Sequence, residues 1–72
     1  MQVIWEAELD NVYRCEVIRL EERKGQLTVK NVETNKVLLD QEVGLSYGAM
    51  FGPDMGDVAY WQELCVNAVD GV

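Results

Sequence analysis

The sequence predicts an α+β domain: a four-stranded antiparallel β-meander with one C-terminal α-helix packed on one face. Three observations predict it. Apolar residues alternate along four successive stretches, as half-buried strands require. Turn-forming residues separate those stretches at short intervals. Near residue 54 the apolar period changes from two to the spacing of three and four that marks a helix. The 72 residues make a single domain, 1–72, close to the lower size limit for a chain that folds alone.

The first strand, over 2–9, sets Val3, Trp5, Ala7 and Leu9 on one face and Glu6 and Glu8 on the other. Asp10-Asn11 turns the chain. In the second strand, over 12–22, Tyr13, Cys15 and Val17 continue inward with Arg14 and Glu16 outside, and the phase then flips to Ile18 and Leu20. An alternating pattern changes faces without a turn only through an extra residue, so a β-bulge is expected at Val17-Ile18. Glu22-Arg23-Lys24-Gly25 reads as the second turn, with Gly25 supplying positive φ. Leu27 and Val29 point inward on the third strand, over 26–33. After the turn Thr34-Asn35-Lys36, the fourth strand, over 37–43, carries Val37, Leu39 and Val43. That turn pairs Lys30 with Asp40 and Leu27 with Val43, charge against charge and apolar against apolar. The same register puts Ile4, Val32 and Leu38 on the outer sheet face.

The helix, over 54–70, collects Val58, Trp61, Leu64, Cys65, Ala68 and Val69 on one face, with Gln62, Glu63 and Asn67 opposite. Asp54 suits the N-cap and Asp57, three residues on, suits the positive end of the helix dipole. Gly71 ends the helix in the usual C′ role. Trp61 is the expected anchor of helix to sheet.

Composition narrows the chemistry. Histidine is absent, which removes the usual general base and the commonest metal ligand. Cys15 and Cys65 lack CxxC or CxH spacing and read as buried, unpaired thiols. No stretch approaches the ~20 apolar residues of a membrane span, and the N-terminus has no signal-peptide pattern, so a cytoplasmic protein without cofactor or metal is expected. The formal charge is −7 and unevenly spread. Residues 1–36 hold all the bases and are nearly neutral; residues 37–72 hold Asp40, Glu42, Asp54, Asp57, Glu63 and Asp70 and no base. Such a half repels nucleic-acid phosphates and attracts a basic protein.

Gly44-Leu45-Ser46-Tyr47-Gly48 matches the nucleophile-elbow pattern G-x-S-x-G. No histidine exists to activate Ser46, the helix starts several residues later, and a small meander is not a hydrolase sheet. The match is read as coincidence, and the chain as no enzyme. The connection over 44–53 is informative in another way. It holds glycines and Pro53 yet also Leu45, Tyr47, Met50 and Phe51, with Met55 just beyond. Either Tyr47, Met50 and Phe51 plug the end of the core, or they stay exposed as a contact surface beside Asp54 and Asp57.

From Leu45 through SYGAMFGPDMGDVAYWQ to Gln62, about a quarter of the chain, the sequence resembles short uncharacterised proteins of actinobacterial bacteriophages and prophages. The resemblance brings no catalytic or binding residue. It implies a setting, that of a small phage-type accessory protein acting on host machinery. The function expected is therefore a non-enzymatic, acidic binding module that binds or inhibits a host protein with a basic surface. Its candidate contacts are Tyr47, Met50, Phe51, Asp54, Asp57, Asp40, Glu42 and Glu63. The alternative is a self-associating accessory protein, a homodimer formed through Ile4, Val32 and Leu38 on the outer sheet face.

Overall fold

A computed structural model, describing residues 2–72, shows strands β1 (Gln2–Leu9), β2 (Tyr13–Glu21), β3 (Lys24–Asn31) and β4 (Val37–Gly44), then helix α1 (Met55–Asp70). The strands lie side by side in chain order and every neighbouring pair is antiparallel. This is the α+β meander that the alternation predicts. The sheet is open, so β1 and β4 are its edges.

Local chemistry explains the connections. Asp10 and Asn11 both take positive φ, 54° and 60°, and the Val12 N–H donates to the Leu9 carbonyl at 3.2 Å. Short polar side chains tolerate that left-handed backbone, whose twist suits a tight hairpin. Between β3 and β4 the chain turns over 32–36. There the Asn31 side chain accepts from the N–H groups of Glu33 and Thr34, and Asn35 takes φ 62°. The β2–β3 turn is Glu22-Arg23, because Glu21 already pairs with Lys24.

Gly25 departs from expectation. It lies inside β3 and its φ is not positive. Its role is space. A Cβ there would sit 3.0 Å from the Ile18 carbonyl oxygen, 3.1 Å from Val17 Cγ1 and 3.2 Å from Leu45 Cδ2. The missing side chain at Gly25 leaves room for the tip of Leu45 to fold over the sheet.

The bulges correct three further expectations. Val3 faces Ile18 and Trp5 faces Val17, so the extra residue is Ile4 on β1, opposite Val17-Ile18 rather than within it. β2 keeps its alternation across Val17-Ile18, since Val17, Ile18 and Arg19 pair without interruption with Leu27, Gln26 and Gly25; its own irregularity comes later, at Leu20, between the Arg19–Gly25 and Glu21–Lys24 pairs. In β4, Val37 faces Lys30 and Leu39 faces Val29, which makes Leu38 an extra residue as well. Asp40 therefore lies opposite Thr28, and Val43 opposite Gly25, in place of the expected Lys30–Asp40 and Leu27–Val43 pairs. Both inserted residues, Ile4 and Leu38, pack against the core rather than standing on the outer face. A bulge re-aims a side chain, and here it turns two aliphatic groups inward.

The core consists of Cys15, Val17, Leu27, Val29, Val43 and Leu45 from the sheet side with Trp61 and Cys65 from the helix. Asp54 caps α1, its carboxylate accepting the Asp57 N–H at 3.2 Å. Gly71 closes the other end with a right-handed backbone, φ −82°, its N–H bonded to the Asn67 carbonyl; the left-handed form expected of a C′ glycine is not used. α1 packs chiefly on β3 and β4. Trp5, Ala7 and Leu9 on β1 are consequently only half-buried. The ring of Trp61 meets that of Trp5 with centroids 5.9 Å apart, tilted by 46°.

Candidate functional site

The loop after β4 is fastened at several points. Leu45 is buried, and its N–H donates to the Arg23 carbonyl at 2.9 Å, which prolongs the β3–β4 pairing. Ser46 donates twice to the Asp57 carboxylate, from its backbone N–H at 2.8 Å and from Oγ at 2.9 Å. The Ala49 N–H donates to Glu22 Oε1 at 3.0 Å, and the same carboxylate fills the space beside Gly48. Phe51 N–H closes a turn on the Gly48 carbonyl at 3.1 Å. One carboxylate from the helix and one from the β2–β3 turn thus hold the loop from both sides.

Held in this way, the loop displays its apolar side chains. Met50 is 92% exposed, Met55 80%, Phe51 66% and Tyr47 49%. The rings of Tyr47 and Phe51 lie 5.9 Å apart at 53°, in edge contact with each other rather than with the core. Of the two readings of this loop, only Leu45 plugs the core. Tyr47, Met50 and Phe51 form a surface. Grouped large apolar side chains at the surface are less ordinary than singly scattered ones.

The carboxylates fall into separate groups. Asp54 and Asp57 are half-buried and already occupied, one as the helix cap and the other as the acceptor for Ser46. Asp40 and Glu42 stand exposed on the outer sheet face, where Asp40 accepts from the Gln26 side chain and Glu42 lies opposite Gln26. Glu63 is exposed on the helix, beyond the opposite face of the sheet. The eight candidate residues therefore do not make one patch. Tyr47, Met50 and Phe51 come together with Asp54 and Asp57 behind them; Asp40, Glu42 and Glu63 lie elsewhere. Bases also border the loop, because the β2–β3 turn brings Arg23 and Lys24 to the same end of the sheet. Lys24 pairs there with Glu21 at 3.3 Å.

One contributor is hidden from sequence reading. Glu22 looks like one more charge in a turn, and only the fold brings it to the amide of Ala49, far along the chain. Met55, which the sequence groups with the apolar residues of this stretch, is the first residue of the helix and is exposed.

Ser46 Oγ has the Asp57 carboxylate as its partner. Its two bonds to Asp57 tie the chain just after β4 to the start of the helix. Cys15 and Cys65, distant in sequence, meet in the core as free thiols. Burial raises both above the ordinary thiol range, and Cys65 is pushed up to about 12, by desolvation first and then by its interaction with the Cys15 sulfur. For Cys15 that interaction partly offsets the effect of burial. Such thiols are poor nucleophiles. Among the described residues no helix is long and apolar enough to cross a membrane.

Comparison of the chain with protein-family models, with curated proteins and with solved structures finds no match.

Proposed function

We propose that the chain is a non-enzymatic binding module that docks a protein partner on Tyr47, Met50, Phe51 and Met55. The observation that carries this reading is a loop pinned by Asp57 and Glu22 so that its largest apolar side chains face solvent. A loop ordered in advance loses less entropy when it binds, and aromatic and methionine side chains are favoured anchors.

The acidic half adds attraction at a distance. Asp40, Glu42 and Glu63 lie on different sides, so one flat partner cannot touch them all; they steer a basic protein toward the domain without being contacts. A phage-type accessory protein acting on a host protein with a basic surface fits this behaviour, and that setting belongs to the proposal. The test is affinity capture from a host lysate with wild-type chain and with Met50→Ala/Phe51→Ala in parallel. The reading expects a basic protein retained by wild type and lost with the variant. Equal capture by both chains overturns it.

A further inference from the structure

The surface at the other end of the helix has a different character. Because α1 leans on β3 and β4, a groove of about 250 Å³ opens between it and β1, lined by Trp5, Ala7, Leu9, Cys15, Cys65 and Val66 among others. It continues past Leu9 and Val66 toward Val69, with Asp10 and Asp70 at its end and Glu8 at its rim. No base lines either stretch. The C-terminal end of α1 adds the negative pole of the helix dipole, with no basic residue in its last turn.

β1 is also an edge strand, whose outward N–H and C=O groups have no strand partner. The bulge at Ile4 limits regular pairing to Trp5–Leu9. On the outer face of that stretch stand Glu6 and Glu8. Arg14 bonds Glu6 and Glu16, and Glu8 has no ion pair among the described residues. Carboxylates on an edge strand deter a second copy of this chain, which would set Glu6 and Glu8 against like charges. They favour a strand of opposite sign.

We propose that this edge and groove dock an extended, basic protein segment as a fifth strand. Its inward apolar residues cover Trp5, Ala7 and Leu9, and its outward Lys or Arg residues lie beside Glu6 and Glu8, with Asp10 and Asp70 at the far end. The period of two along a strand sorts the two kinds of side chain onto the two faces. The inference rests on reading the chain as a module for basic proteins, but it assigns a surface that shares no residue with the loop.

The probe is a decapeptide of alternating valine and lysine, titrated against the labelled chain by amide chemical shifts. Expected are saturable shifts over Trp5–Leu9 and the last turns of α1, and no binding by the valine–glutamate counterpart. N-methylation of alternate peptide residues should abolish binding in one of its two registers. Glu8→Lys/Asp70→Lys, both at exposed positions, should weaken binding about tenfold or more, as expected when rim charges are reversed. Absence of binding, shifts spread over every acidic surface, or self-association without peptide overturns the proposal. Shifts confined to 47–55 overturn it too while favouring the loop reading. Capture that depends on Met50 and Phe51 together with a silent β1 edge would leave the loop reading standing alone.

Discussion

Trp61→Ala tests the hinge of the whole architecture. Trp61 is 1% exposed and is the largest fully buried side chain, and it meets Trp5 across the helix–sheet interface. Truncating a buried aromatic to alanine costs about 3–5 kcal/mol in lost transfer energy and residual cavity. Loss of the tilted ring pair adds about 0.5–1.5 kcal/mol. A core of this size rarely supplies more than ~3–5 kcal/mol of net stability, so the alanine variant is expected to be unfolded. Trp61→Phe provides the graded measurement, since it keeps a ring in the site and should remain folded with a loss smaller than alanine's. Urea denaturation followed by far-UV circular dichroism reads both, and fluorescence of the remaining Trp5 reports the interface. A loss under ~1 kcal/mol for Trp61→Ala would refute the reasoning, because only a solvent-facing aromatic is truncated so cheaply.

Further outcomes follow from the same contacts. Gly25→Ala should lower the urea midpoint, since overpacking against Ile18, Val17 and Leu45 costs about 1–3 kcal/mol and outweighs the ~0.4–1 kcal/mol that alanine gains through the unfolded chain; a raised midpoint would show that Leu45 moves aside freely. Asp57→Ala removes both acceptors of Ser46 and should cost about 1–2 kcal/mol, with faster amide exchange at Ser46; unchanged exchange there would mean the loop is held by other contacts. Both thiols are raised in the folded state, so the unfolded chain releases their protons first. Their contribution to stability is complete below the ordinary thiol value of 9.0 and is lost as pH rises from there through about 12. Denaturation curves across that window should show a decline that is smaller in Cys15→Ala/Cys65→Ala, and an identical decline in the two chains contradicts the assignment.

Much of the fold was legible because burial imposes a period. Cys15 and Val17, Leu27 and Val29, and Trp61 and Cys65 all face where alternation and helical spacing place them. Register was harder to read. Ile4 and Leu38 look like outward members of alternating strands, and only a bulge, whose signature in sequence is no more than one surplus residue, turns each inward. That change takes Ile4 and Leu38, two of the three residues of an outer-face homodimer, off that face. Gly25 sits beside the turn, yet it supplies space rather than positive φ, and a close approach by Leu45 leaves no local mark in the sequence. Composition singled out the loop, but its exposure depends on Glu22 and Asp57, which are remote in sequence from the amides they hold. The acidic half was visible as a sum; its division between the outer sheet face and the helix required the fold.

The central claim is that Met50 and Phe51 are the anchor of a protein contact. It is tested most directly by the dissociation rate of the captured partner from wild-type chain and from Met50→Ala/Phe51→Ala. Both side chains are largely exposed, so the variant should keep wild-type stability within ~0.5 kcal/mol. Loss of an anchor acts mainly on dissociation, which should quicken by about tenfold or more, while Asp40→Asn/Glu42→Gln should mainly slow association. A dissociation rate unchanged in the loop variant would contradict the account and move the contact to another surface of the domain.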